Sequence, residues 1–144
     1  MDTSLRTTAW RQVYKTISLC LSVVFAVVGI IFFLMPDGVF LLFNNISRQL
    51  GFAESPLQGF GLYQVLAVGY MYLVSLLAAM MFLHPENKYF IWLLINGKSA
   101  SSVTSILLFA FHRPYLIYAT NGVVDGLIAI FLIFVYRRLK AEPA

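Results

Sequence analysis

Four apolar runs, each long enough to cross a bilayer, dominate the chain. A spanning helix needs about 20 mostly apolar residues, because a helix rises about 1.5 Å per residue and the hydrocarbon core is about 30 Å thick. Residues 17–35, 62–83, 89–111 and 115–136 meet that length and fill more than half of the 144 residues. The expected fold is therefore all-α, a four-helix transmembrane bundle forming a single integral membrane domain over residues 1–144. Only 11% of the residues are charged and 60% are hydrophobic, whereas a soluble domain carries about 25% charged residues. That count excludes soluble, disordered and nucleic-acid-binding readings. The net charge of +4 comes from basic residues that flank apolar runs, which is a membrane pattern. The bilayer is the first expected partner, with no nucleic acid.

The first run is too long for the apolar part of a cleaved leader and has no small-x-small cleavage site after it. It stops at Met35-Pro36-Asp37-Gly38, a helix stop and turn. With a cytoplasmic N-terminus, Arg6, Arg11, Lys15, Lys88, Arg137, Arg138 and Lys140 lie inside and only Arg48 and Arg113 outside. The positive-inside rule then predicts both ends inside, in a cell membrane of the bacterial inner-membrane type. Tyr14, Tyr63, Tyr89, Trp92, Tyr115 and Tyr136 fall near the expected interfaces, as an aromatic belt.

The linkers His84–Lys88 and His112–Pro114 are short, so spans two, three and four should pack in sequence as antiparallel neighbours. The longer linker between spans one and two predicts a helix over 38–50. Val39, Leu42, Phe43, Ile46 and Leu50 form its apolar stripe, and Asn44, Asn45, Ser47, Arg48 and Gln49 occupy other faces. Asp37 is its expected cap, and Gly51 suits the position after its end. At about 12 residues it is too short to span, and it reads as an interfacial helix closing the outer mouth of the bundle, with a lid or a docking surface for a partner as the alternative.

The third span carries Asn96-Gly97-Lys98-Ser99-Ala100-Ser101-Ser102-Val103-Thr104-Ser105. A lysine at a helix centre costs about 2.5–3.5 kcal/mol on insertion scales, so this helix needs neighbours and belongs at the bundle centre. The fourth span holds Asp125. Counting along each helix puts Lys98 about 13 Å and Asp125 about 16 Å from the same boundary, so the two should form an ion pair. Around it the helical angles gather Asn121, Ser101, Ser102, Tyr70 and Tyr72 into an intramembrane polar layer, with Asn96 pointing away. Gly97, Ser105, Gly122 and Gly126 supply the small surfaces for close helix packing. The pair reads as structural first, since a proton relay or carrier needs an unpaired titratable group; an ion path or headgroup site is the functional alternative.

Other chemistry has few residues to stand on. The single cysteine, Cys20, allows no disulfide or dithiol chemistry and reads as a buried small hydrophobe. His84 and His112 lie at opposite helix ends, too far apart for one haem and without acidic or thiol neighbours for a metal. Neither a metal nor a cofactor is expected, and no catalytic residue is assigned. Asp125-Gly126-Leu127-Ile128-Ala129 matches the opening of the lipid-alcohol phosphotransferase motif, but Ile130 stands where its arginine would be, and the later aspartates are absent. Small multidrug exporters share the four-span layout but carry an acidic residue in the first span, where this chain has none.

The layout resembles the DoxX-like group of small four-span bacterial membrane proteins. The shared features are a first span ending in Gly29…Leu34-Met35-Pro36, an outer amphipathic segment and three tightly linked spans. Gly59-Phe60-Gly61-Leu62-Tyr63-Gln64 lies where those proteins commonly carry paired glycines and an acidic residue, and here contains no acid. The resemblance implies association with respiratory or redox membrane complexes and transfers no site residues. The expected role is a non-catalytic accessory or assembly subunit, with a membrane protein partner or self-association. The alternatives are a small transporter or ion-conducting homo-oligomer using Lys98 and Asp125, and a lipid-binding or lipid-modifying protein.

Overall fold

The computed structural model describes residues 3–57 and 61–140, with side chains over 10–57 and 61–138. Arg6, Gly59, Phe60 and Lys140, which entered the reading above, have side chains outside the described residues. Over the described residues the fold is all-helical, with five helices: α1 (Thr3–Leu34), α2 (Pro36–Leu50), α3 (Gly61–Leu83), α4 (Lys88–Phe111) and α5 (Leu116–Lys140). Among the described residues four stretches are long and apolar enough to cross a membrane: Trp10–Leu34, Gly61–Leu83, Lys88–Phe111 and Leu116–Arg138. The chain is a multi-pass membrane protein on this criterion. Spans two to four begin and end within two residues of their expected bounds, whereas span one starts seven residues earlier, at Trp10.

Local chemistry sets the breaks. Proline disfavours helical geometry in the residue before it, and Met35, with φ −136° and ψ 52°, separates α1 from α2. Pro36 then takes the first position of α2, where its missing N–H costs nothing. Asp37 is not the cap. It sits inside the first turn, and no side chain caps this helix; a carboxylate there still favours the positive end of the helix dipole. Gly51 ends α2 in the left-handed conformation, φ 74°, which suits glycine. Asn87 caps α4, its Oδ1 accepting from the Tyr89 N–H at 3.0 Å.

The spans form two close pairs, α1 with α3 and α4 with α5, joined mainly where α3 meets α4. Spans two, three and four do pack in sequence, α3 on α4 and α4 on α5, but the main neighbour of α3 is α1. Short linkers constrain only chain-connected neighbours, whereas this contact is built from distant residues. Ser22 and Ser75 bond each other's helix, Ser75 Oγ to Ser22 O at 2.9 Å and Ser22 Oγ to Ser75 O at 3.1 Å. Gly29 lies against Met71, whose Cβ is 3.0 Å from where a glycine Cβ would stand. Lys15 caps the Phe82 ring at 5.5 Å, and Arg11 reaches Glu86 at 3.9 Å. These contacts descend α3 as they ascend α1 in reverse, so the two helices are antiparallel.

The apolar core fills the half of the bundle nearest the start of α1: Tyr14, Ala78, Met81, Ile91, Leu94 and Leu132 are buried there. The opposite end is covered by α2 and the segment after it. The Asn44 carboxamide bonds the Ser55 backbone twice, Nδ2 to O and N–H to Oδ1, both at 2.8 Å. Ala53 forms a single parallel bridge with Tyr115, and Phe52 meets Phe109 edge-on at 5.9 Å. Arg48 Nε and Nη2 donate to the two Glu54 oxygens at 3.0 and 3.2 Å, holding the Glu54 carboxyl below the usual glutamate range. The two faces of α2 differ in burial. Asn44 and Ser47 face inward and are buried, while Leu42, Ile46 and Leu50 of the apolar stripe are exposed; Val39 and Phe43 are half-buried.

Candidate functional site: a sealed ion pair between four spans

Lys98 projects from the middle of α4 and Asp125 from α5. Lys98 Nζ donates to Asp125 Oδ1 at 2.8 Å. The residues are only 1% and 3% exposed. Two aromatic rings cover the ammonium: the Phe25 centroid of α1 lies 4.4 Å from Nζ and the Tyr70 centroid of α3 5.1 Å. All four spans therefore converge on one cation. A buried charge is tolerable when it is paired and when ring faces replace part of its hydration. Tyr70 Oη donates to the Gly97 carbonyl at 3.1 Å, tying α3 to α4 beside the pair. Asp125 Oδ2 is buried without a hydrogen-bond partner among the described residues.

A second polar layer lies one to two turns along α4. Ser102 Oγ donates to the Gly122 carbonyl at 2.6 Å. The two Nδ2 hydrogens of Asn121 go to Ser101 Oγ at 3.1 Å and Ser105 Oγ at 2.7 Å. The pairs Lys98–Asp125, Ser102–Gly122 and Ser105–Asn121 run in opposite directions along the two helices, so α4 and α5 are antiparallel. Close approach depends on two glycines. A Cβ at Gly122 would come within 2.9 Å of Ile106 Cγ1, and one at Gly126 within 2.9 Å of Ser102 Oγ.

The structure thus brings together Lys98, Asp125, Tyr70, Asn121, Ser101, Ser102, Ser105, Gly122 and Gly126. It does not bring in Tyr72, which is 70% exposed on the outer face of α3. Two residues along a helix turn a side chain through about 200°, so Tyr70 and Tyr72 cannot share a face. Gly97 is not a close-packing glycine either, since a Cβ there would meet nothing within 4 Å. It lines a lateral groove of about 390 Å³ with Tyr70, Ala100, Ser101, Thr104 and Ser105. Cys20 is exposed, not buried. His84 does have an acidic neighbour, Glu86 Oε1 at 3.7 Å from Nδ1, visible two positions along the sequence. Among the described residues no group of three potential metal ligands occurs. Phe25 escapes sequence reasoning because nothing separates it from the other apolar residues of its span. The Ser22 and Ser75 hydroxyls were legible as polar residues within apolar runs, but not as a pair.

No family model, curated protein or solved structure matches the chain.

Proposed function

We propose that the chain is a small non-catalytic integral membrane protein that works as an accessory or assembly subunit of a larger membrane complex. The observation that carries this reading is the sealed Lys98–Asp125 pair. Its charges are spent on each other at 2.8 Å, under two rings. They hold α4 to α5 and leave neither Lys98 nor Asp125 as an unpaired titratable group for a relay. The spans also present long apolar helix faces, for example Val123, Leu127, Ile130 and Phe134 on α5, suited to lipid and to other membrane helices. On this reading α2 lies in the outer interface with Leu42, Ile46 and Leu50 toward acyl chains, and both termini are cytoplasmic. The resemblance to DoxX-like proteins directs the search for partners to respiratory and redox complexes of a bacterial inner membrane.

The test is gentle purification from native membranes with mass spectrometry of everything retained. Fixed membrane-protein partners in constant ratio are expected. A monomer with bulk lipid only, or proteoliposome ion flux abolished by Lys98→Met, would overturn the reading. A second reading, binding of one lipid, is favoured by the lateral groove at Gly97 and Ser101. It requires one lipid species to remain bound in stoichiometric amount.

A further inference from the structure

Asn96 has no place in the polar layer. It is exposed on the outer face of α4, eight positions after Lys88 and therefore about 12 Å along the span. Among the described residues it is the one exposed carboxamide more than two turns from the ends of its span. Its Nδ2 donates to the Trp92 carbonyl at 2.8 Å within the same helix. That bond uses one N–H and leaves the second hydrogen and Oδ1 to be met from outside the chain. Acyl chains can do neither, and polar groups at this depth are normally satisfied by a neighbouring helix.

The residues around it form a seam. Tyr89, Leu93, Asn96, Ala100, Val103 and Leu107 are all exposed, and their spacing alternates four and three. That 3.5-residue repeat is the pattern of a left-handed helix pair. Beside Asn96, Ala100 and the open position at Gly97 keep the surface low enough for backbones to approach. A single asparagine at a core position of such a repeat fixes register and oligomer state.

We infer that α4 pairs with α4 of a second copy of this chain, about a two-fold axis along the membrane normal, with the two Asn96 side chains hydrogen-bonded to each other. Self-complementarity decides the occupant. A carboxamide is donor and acceptor at once, so it satisfies its own copy. Two copies inserted with the same topology present Asn96 at the same depth, which a parallel two-fold seam requires. This deepens the proposed subunit role by naming one partner.

The test uses the full chain with Cys20→Ser, in native membranes, carrying Leu93→Cys, Ala100→Cys or Val103→Cys and treated with a mild oxidant. Disulfides form only where Cβ atoms come within about 4.5 Å. Cross-linked homodimers are expected at these seam positions, and far fewer for Leu127→Cys, equally exposed but on α5. Asn96→Leu should lower dimer association about 10-fold, equivalent to about 1.4 kcal/mol, while Asn96→Gln keeps it. Asn96 makes no bond to another helix, so the monomer folds in both variants. Cross-linking absent from the seam or as strong at Leu127, an unchanged Asn96→Leu dimer, or a foreign protein or lipid on the seam would overturn the inference. Foreign subunits co-purifying without seam cross-links would refute this pairing alone. Loss of every partner would refute the subunit reading as well.

Discussion

At the residue scale, Lys98 and Asp125 show how much one interaction can decide. Two charges inside apolar runs were legible in the sequence, and counting 1.5 Å per residue along antiparallel helices was enough to set them level. What holds the ammonium besides Asp125 was not legible. Phe25 and Tyr70 act through ring faces, and an aromatic residue in an apolar run looks the same whether it faces lipid or a cation. The energetic argument follows from burial. Removing one partner of a buried pair strands the other, at a cost of about 3–5 kcal/mol. Replacing both with apolar groups removes the desolvation penalty together with the attraction. Lys98→Met and Asp125→Leu should therefore each lower the thermal stability of the detergent-solubilised protein sharply, the double variant should recover most of the loss, and the exchange Lys98→Asp with Asp125→Lys should recover part of it. A double-mutant cycle measures this directly, and two additive single losses would refute the coupling.

At the element scale, α2 teaches why an amphipathic pattern has two readings here. Its period and its end at Gly51 were legible and its start only to within two residues, but the face it turns to the bundle was not. In water an apolar stripe must point inward; beside a bilayer it can point outward, leaving Asn44 to bond Ser55 and Ser47 to lie buried against the protein. The same ambiguity surrounds small residues. Gly97, Gly122 and Gly126 look alike in the sequence, yet only at the last two would a Cβ meet the neighbouring helix. Adding one methyl to a filled contact costs about 1–3 kcal/mol, whereas adding it in open space gains about 0.8–1.0 kcal/mol of helix propensity. Gly126→Ala, whose new Cβ would press on Ser102 Oγ, should destabilise the α4–α5 pair; Gly97→Ala should be neutral or stabilising to the monomer. Thermal unfolding of the two variants side by side separates them, and equal losses would show that α4 packs as closely at Gly97 as at Gly126.

At the scale of the whole molecule, the polar and apolar parts are stacked along the bundle. An apolar core lies near the start of α1, the ion pair above it, the Asn121 layer above that, and α2 covers the far end. Short linkers made the α3–α4 and α4–α5 neighbours legible. The α1–α3 pair depends on residues some fifty positions apart, Ser22 with Ser75 among them, which no local rule connects. The charges follow the same axis. Arg11, Lys15, Lys88, Arg137 and Arg138 belong to one end of the antiparallel spans, whereas Arg48, already bound to Glu54, and Arg113 belong to the other. Basic residues near span ends resist translocation, so the richer end should face the cytoplasm. Two exposed linker positions report this in a Cys20→Ser background, Glu86→Cys at the first end and His112→Cys at the second. A membrane-impermeant maleimide applied to intact cells should label His112→Cys at once and Glu86→Cys only after the membrane is opened. The reverse result would invert the orientation and place α2 in the cytoplasmic leaflet. Labelling of both from outside would be more serious, because two ends of one 24-residue span cannot share a side, and α4 would then not cross the membrane at all.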